Sequence, residues 1–186
     1  MKIVKSFLLL VIVAAMASCS SVKVVVDVDK TVDFTQYTTY NFLGWQADSD
    51  KLMNEMDRNR VHAAFKNEFD ARGMKYVEEN GDMAVSLFFV IDQKTSTTAY
   101  TNYYGGRYGG YNRYGGGWGM GYANTTYSEH DYLVGTLVMD AFDGKSKDQI
   151  WQGVAKSTIT ENPAKREKAT PKKIAYLMNK FPVPKK

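Results

Sequence analysis

The sequence predicts an α+β domain, a mainly antiparallel sheet with two helices packed on one face. Three observations carry that prediction. Short segments rich in alternating or β-branched residues recur along the chain, two other segments place apolar residues at helical spacing, and two late strand-like runs are joined by a short polar turn. At 186 residues there is room for one domain, or a domain plus a tail. With 44% hydrophobic and 24% charged residues the composition is globular. A single Cys and two His exclude an intrachain disulfide framework and a Cys-built zinc site.

The chain opens MKIVKSFLLLVIVAAMASCSS, with basic Lys2 and Lys5, an apolar run from Phe7 to Ala17 and small residues before Cys19. This is the pattern of a secretory signal. An apolar run of 11 residues spans about 16 Å as a helix, well short of the roughly 30 Å hydrocarbon core. Met16, Ala17, Ser18 and Cys19 resemble a bacterial lipobox, although Met stands where Leu is usual. The resemblance implies that residues 1–18 are removed and that Cys19 carries fatty acyl chains such as palmitate, an anchor rather than a nucleophile. One acyl chain binds a membrane marginally, whereas two or three hold it. Ser20 and Ser21 lack the Asp that retains similar lipoproteins at the inner membrane, so the expected address is the outer membrane, facing the periplasm.

Residues 19–186 are expected to form one domain. Val22, Val24, Val26 and Val28 alternate as a first strand, and Tyr37–Leu43 is a second, broken by Gly44. Asp48, Ser49 or Asp50 offers an N-cap for a helix running to about Arg72, with Gly73 as its left-handed C-cap. Val61, Ala64, Phe65 and Phe69 make its apolar stripe. Met83–Ile91 is a nearly unbroken apolar run, expected in the middle of the sheet.

Residues 95–127 then change character, holding nine of the fifteen Gly and eight of the thirteen Tyr. They lack the aliphatic surface to offset chain entropy and read as a long flexible insertion. Tyr132–Phe142 and Gln149–Ile159 form a β-hairpin through Asp143 and Gly144. In the last element Thr170 and Pro171 supply a helix start, Ile174, Leu177, Met178 and Phe181 an apolar face, and Pro182 a stop.

Several of these strings are familiar together: VDFTQYTTYNF, ARGMKY, GDMAVSL, GTLVMDAFD with IWQGVA, and NKFP. They resemble the bacterial lipoprotein family called domain of unknown function 4136 over nearly all of the chain beyond Cys19 except the Gly/Tyr stretch. Gly135, Thr136 and Leu137 with Trp151 and Gly153 are the most specific piece. The resemblance implies an exported, usually lipidated α+β domain and brings no reaction or catalytic residue with it.

Chemistry read from the residues themselves is sparse. Ser128, Glu129, His130 and Asp131 are adjacent in sequence and cannot converge as a catalytic triad does. His62 has no second ligand at metal spacing. Lys145 and Lys147 interrupt the Asp140, Asp143 and Asp148 cluster, which lacks a calcium-loop pattern. No cofactor is expected, and the Gly-rich stretch lacks the strand, Lys and helix of a phosphate loop. Phe34, Tyr37, Tyr40 and Trp151 read as core aromatics or as the lining of a groove, the latter making Tyr40 and Trp151 contacts for a small ligand or glycan. In the insertion Tyr104, Tyr108, Tyr111 and Trp118 read either as a tolerated loop or as aromatic faces for a glycan or protein partner.

Charge is uneven. Residues 156–186 carry a net +7 against −5 for residues 19–155. A basic end of this kind suits anionic headgroups or peptidoglycan. The expected function is a lipid-anchored, non-enzymatic structural or interaction module of the cell envelope, with a membrane partner through Cys19, a possible envelope-protein or peptidoglycan partner and no nucleic acid. The alternative is a small-ligand or glycan binder, or an enzyme, using an aromatic groove.

Overall fold

A computed structural model describes residues 22–46, 49–103 and 123–186. Cys19, Tyr104, Tyr108, Tyr111 and Trp118 lie outside the described residues. The chain divides into two compact units, one made by the chain up to Asp92 together with Leu133–Lys186, the other by Gln93–Tyr132. In the second unit the Asp131 carboxylate accepts from Thr95 Oγ1 at 2.7 Å and from Gln93 Nε2 at 3.3 Å.

The elements are β1 (Lys23–Val28), β2 (Thr39–Trp45), α1 (Glu55–Asp70), β3 (Lys75–Tyr76), β4 (Met83–Tyr103), β5 (Ala123–Asp143), β6 (Gln149–Thr158) and α2 (Pro163–Met178). The sheet order is β1-β6-β5-β4-β2-β3. β6 runs antiparallel to β1 and to β5, while β2 runs parallel to β3 and to β4. The Gly144 amide donates to the Asp82 carbonyl, and Gly135 faces the Phe89 ring, so β4 and β5 are antiparallel. The fold is therefore α+β with a mostly antiparallel sheet, and the hairpin and central apolar strand stand where the sequence places them. Met83 through Leu87 are all buried, as befits a strand inside the sheet.

Four boundaries differ from expectation. The first helix begins at Glu55, because the Asn54 side chain accepts from the Asp57 amide, while the Ser49 hydroxyl bonds the Gln46 carbonyl in a 3-10 turn (Ser49–Leu52). Gly44 does not end the second strand; it lies within β2 at φ +94° beside a bulge. The last helix starts at Pro163, capped by Asn162, and Pro171 sits inside it. Thr170 is not its cap, since its hydroxyl bonds back to the Arg166 carbonyl. Finally, residues 95–103 and 123–127 of the expected insertion are strand. The two-residue β3 carries no periodicity for a sequence reading to find.

The core lies between the helices and the sheet. Val61, Ala64, Phe65 and Phe69 of α1 and Ile174, Leu177 and Met178 of α2 are all buried, with Phe181 just beyond. Phe181 is the hub of an aromatic cluster, its ring centre 5.3 Å from Trp151, 5.6 Å from Phe69 and 6.0 Å from Phe34. Gly153 is required here, because a Cβ at that position would collide with the Trp151 ring folded over it.

The helix ends are joined by one side chain. Arg72, buried just beyond α1, donates to the Glu68 carboxylate at 2.8 Å, to the Met178 carbonyl at 2.5 Å and to the Val183 carbonyl at 2.9 Å. Lys185 also reaches Glu68, at 2.9 Å. Burial pushes the Glu68 carboxyl up, but the bonds from Lys185 and Arg72 outweigh it and hold the group below its ordinary 4.5. This pairing thus stabilises the fold in full above 4.5 and is lost as pH falls through the lower folded-state value. Glu68→Gln is expected to cost about 3 kcal/mol at neutral pH, since it leaves Arg72 buried with a weakened partner. In thermal melts the gap between wild type and variant should close as the solution is acidified; a pH-independent gap would exclude the ion pair as its source. Trp151→Ala is expected to cost about 3–5 kcal/mol by denaturant titration, the cost of an emptied aromatic core site.

Candidate functional site

A cavity of about 410 Å³ lies between the two helices and the helix-facing side of the sheet. Its floor arises from the hairpin register. Gly135 pairs with Ser157 and Leu137 with Ala155, so three small side chains meet where the helices diverge and leave a hollow. Phe89, Ile91, Leu133 and Ile159 complete an apolar floor, and Val61, Ala169 and Ile174 come from the helices. Gly135 matters directly, because a Cβ there would stand 2.9 Å from the Phe89 ring and 3.1 Å from Ile159. Leu52 and Leu133 are 48% and 37% exposed, so the apolar lining reaches the surface. The volume falls within the range of about 300–1,000 Å³ usual for small-molecule sites.

The rim is charged. Asp57 of α1 receives Arg60 Nη1 at 2.6 Å and Arg166 Nε of α2 at 3.0 Å, which ties the two helices across the cavity. Arg166 also donates through Nη1 to the carbonyls of Thr160 and Glu161. Lys173 is different. Its ammonium donates to the Thr158 carbonyl at 2.9 Å, and no described carboxylate lies within ion-pair distance of it. Burial holds its pKa below the ordinary lysine value. An anion at this point would find a half-buried cation with donors to spare.

The residues singled out in the sequence are dispersed. The side chains of Tyr40 and Trp151 are buried in the core; Tyr40 stacks on Phe69 at 4.3 Å, and Trp151 lies under Phe181. The aromatic groove is thus replaced by core packing, and burial raises the Tyr40 hydroxyl pKa. Phe34 and Tyr37 are buried too. Tyr37 donates to the Asp143 carboxylate at 2.9 Å, and burial first, then this bond, pushes its pKa up to about 12. Asp143 also accepts the Lys145 and Ser146 amides, and Asp140 accepts from Gln149 and Gln152, so these acids organise the hairpin turn. No group of metal-ligating side chains occurs among the described residues. His62 packs against Phe42 at 4.7 Å and Trp45 at 5.8 Å, and burial keeps its pKa low. Ser128, Glu129 and Asp131 follow one another along β5, as adjacency requires. Sequence reasoning missed Lys173 and the cavity; the signal was the facing small residues of the hairpin, visible only once its register is known.

Fold and site together define a small α+β domain with an apolar, cation-rimmed cleft. Residues 24–183 match the family described as Domain of unknown function (DUF4136), and the chain belongs to that family. Among curated proteins no match is found. The fold is similar to a PDZ domain protein from Parabacteroides distasonis, at 14% identity and a TM-score of 0.51, over 92% of this chain and 39% of that one. This chain therefore spans about two fifths of that protein, and at this identity the likeness concerns fold alone. Weaker similarity extends to the PelC dodecamer from Paraburkholderia phytofirmans (8% identity, TM-score 0.47, covering 84% of this chain and 95% of that one). It also extends to a minor lipoprotein from Acinetobacter baumannii (8% identity, TM-score 0.29, covering 77% and 84%). No helix among the described residues is long and apolar enough to cross a membrane, which leaves membrane-crossing strands unaddressed.

Gly135→Val is expected to displace Phe89 and Ile159 into the cavity and cost about 1–3 kcal/mol, the usual penalty of overpacking. Binding of an apolar fluorophore to the cleft should fall in parallel, measured by fluorescence titration.

Proposed function

We propose that this protein is an envelope lipoprotein, tethered by acylation at Cys19 to the periplasmic face of the outer membrane, whose domain acts by binding rather than catalysis. Its ligand is an anionic amphiphile, with an acyl chain in the cleft and a carboxylate or phosphate on Lys173. The observation that carries this reading is the Lys173 ammonium, without a described carboxylate partner, at the rim of an apolar cavity.

The position of the anchor supports it. Lys23 pairs with Lys156, next to the cavity-lining Ser157, and Val22 is buried in the core. Three residues from Cys19 to Val22 span at most about 11 Å, so an anchored Cys19 keeps this end of the sheet near the bilayer. Lys165, Lys168 and Lys172 are exposed on α2, the helix that carries Lys173. Each such charge near an anionic surface contributes up to about 1 kcal/mol. Part of the basic end is already neutralised by the acidic body, through Lys156–Asp92, Arg166–Asp57 and Lys185–Glu68.

The test uses the full chain in proteoliposomes with a diazirine-bearing palmitic acid or its methyl ester. Irradiation and peptide mass spectrometry are expected to place crosslinks on β5, β6 and α2 with the acid. Lys173→Gln should lower acid labelling about tenfold, the effect of one charge-assisted contact, and leave ester labelling unchanged. Equal labelling by acid and ester in the wild type would overturn the role of Lys173, and no labelling of the cleft would overturn the site itself. Incorporation of an alkyne palmitate that persists in Cys19→Ser would remove the anchor.

A further inference from the structure

β1 is an edge strand, first in the sheet order, and one side of its backbone has no described strand partner. The Asp29 amide donates to Ile150 on β6, and by alternation the amides of Asp27, Val25 and Lys23 point the same way. The N–H and C=O groups of Val24 and Val26 therefore face the open edge. The next outward amide, that of Val28, is closed by the Asp27 carboxylate at 2.9 Å. Natural sheets rarely leave such an edge without a covering element or a means of refusing partners.

The side chains of this edge are self-complementary. Lys23, Val25 and Asp27 project from the exposed face, and Val25 is 69% exposed. Val25 continues an apolar row across the sheet, since it pairs with Val154, which pairs with Val138. The partners on the opposite face of these strands, Trp151, Ala155, Met139 and Ala141, are the buried core.

We infer that β1 pairs antiparallel with β1 of a second copy of this chain, about a two-fold axis at Val25. In that register Val24 of one copy and Val26 of the other exchange both backbone bonds. Val25 faces its own counterpart, which joins the two valine rows, and Lys23 of each copy stands opposite Asp27 of the other. A register shifted by two residues sets Lys23 against Val25 in one direction and, in the other, Lys23 against Asp29 but Val25 against Asp27, so only the symmetric arrangement keeps both the Lys23–Asp27 pairs and the Val25–Val25 contact. The interface is isologous and closes as a dimer. The pairing is independent of what occupies the cleft, which opens on the other face of the sheet.

The experiment is disulfide trapping of the full chain in intact cells under mild oxidation. Opposed residues at a non-hydrogen-bonded antiparallel site have Cα atoms about 4.5 Å apart, within disulfide reach. Val25→Cys is expected to trap a homodimer, whereas Val154→Cys, one strand inward, is not. Adding Lys23→Asp should slow trapping of Val25→Cys about fivefold by opposing like charges, and adding Asp27→Lys as well should restore it. Lys23, Val25 and Asp27 are exposed and Val154 is half-buried, and an unchanged thermal melt for each variant confirms an intact fold. Absence of the Val25→Cys homodimer, trapping to a different protein, or failure of the double charge exchange to restore the rate would each overturn the pairing.

Discussion

The guanidinium of Arg72 stands at the point where both helices and the C-terminal chain meet, and the layout of the domain depends on it. A helix ends with carbonyl oxygens that have no partner inside the helix. Arg72 supplies donors to such groups in both helices, the Glu68 carbonyl of α1 and the Met178 carbonyl of α2, and to Val183 beyond them. Its planar fork can serve these directions at once, which a lysine ammonium does less well. The charge itself is balanced by Glu68. Because the last residues are held here, with the Lys186 amide on the Ala71 carbonyl, Phe181 is brought onto Trp151, and the core is closed from the C-terminal side.

At the other end the helices are tied through Asp57 and Arg166. Between the two ties, the sheet presents Gly135, Ala155 and Ser157, and the space they do not fill is the cleft. The same glycine and tryptophan positions that relate this chain to its family thus have separate structural duties. Gly153 admits the Trp151 ring to the core, whereas Gly135 gives Phe89 room beside the cavity. Family membership by itself defines no activity; the cleft and its lysine are what suggest one.

Much of the fold was legible because its signals are local and periodic. The valines of β1, the apolar run opening β4, the stripe of α1 and the polar turn of the hairpin each report burial through spacing alone. Where spacing was weak, neighbouring groups decided. Asn54 and Asn162 took the caps expected of Ser49 and Thr170, whose hydroxyls bond nearby carbonyls instead. Pro171 lies within a helix despite its missing donor, since the helix already had a start at Pro163.

The sequence by itself determined the α+β class, the central strand and hairpin, and the residues of α1 and α2 that face the core, because periodicity in a chain reports which side is buried. It also carried the resemblance that matches the family found. Only the tertiary structure decided the register of β5 on β6, the place of Tyr40 and Trp151 in the core, and the position of Lys173 at the cleft. Those facts depend on which distant residues become neighbours, and Gly135 and Ser157, or Lys173 and Thr158, meet only after the sheet and helices have packed.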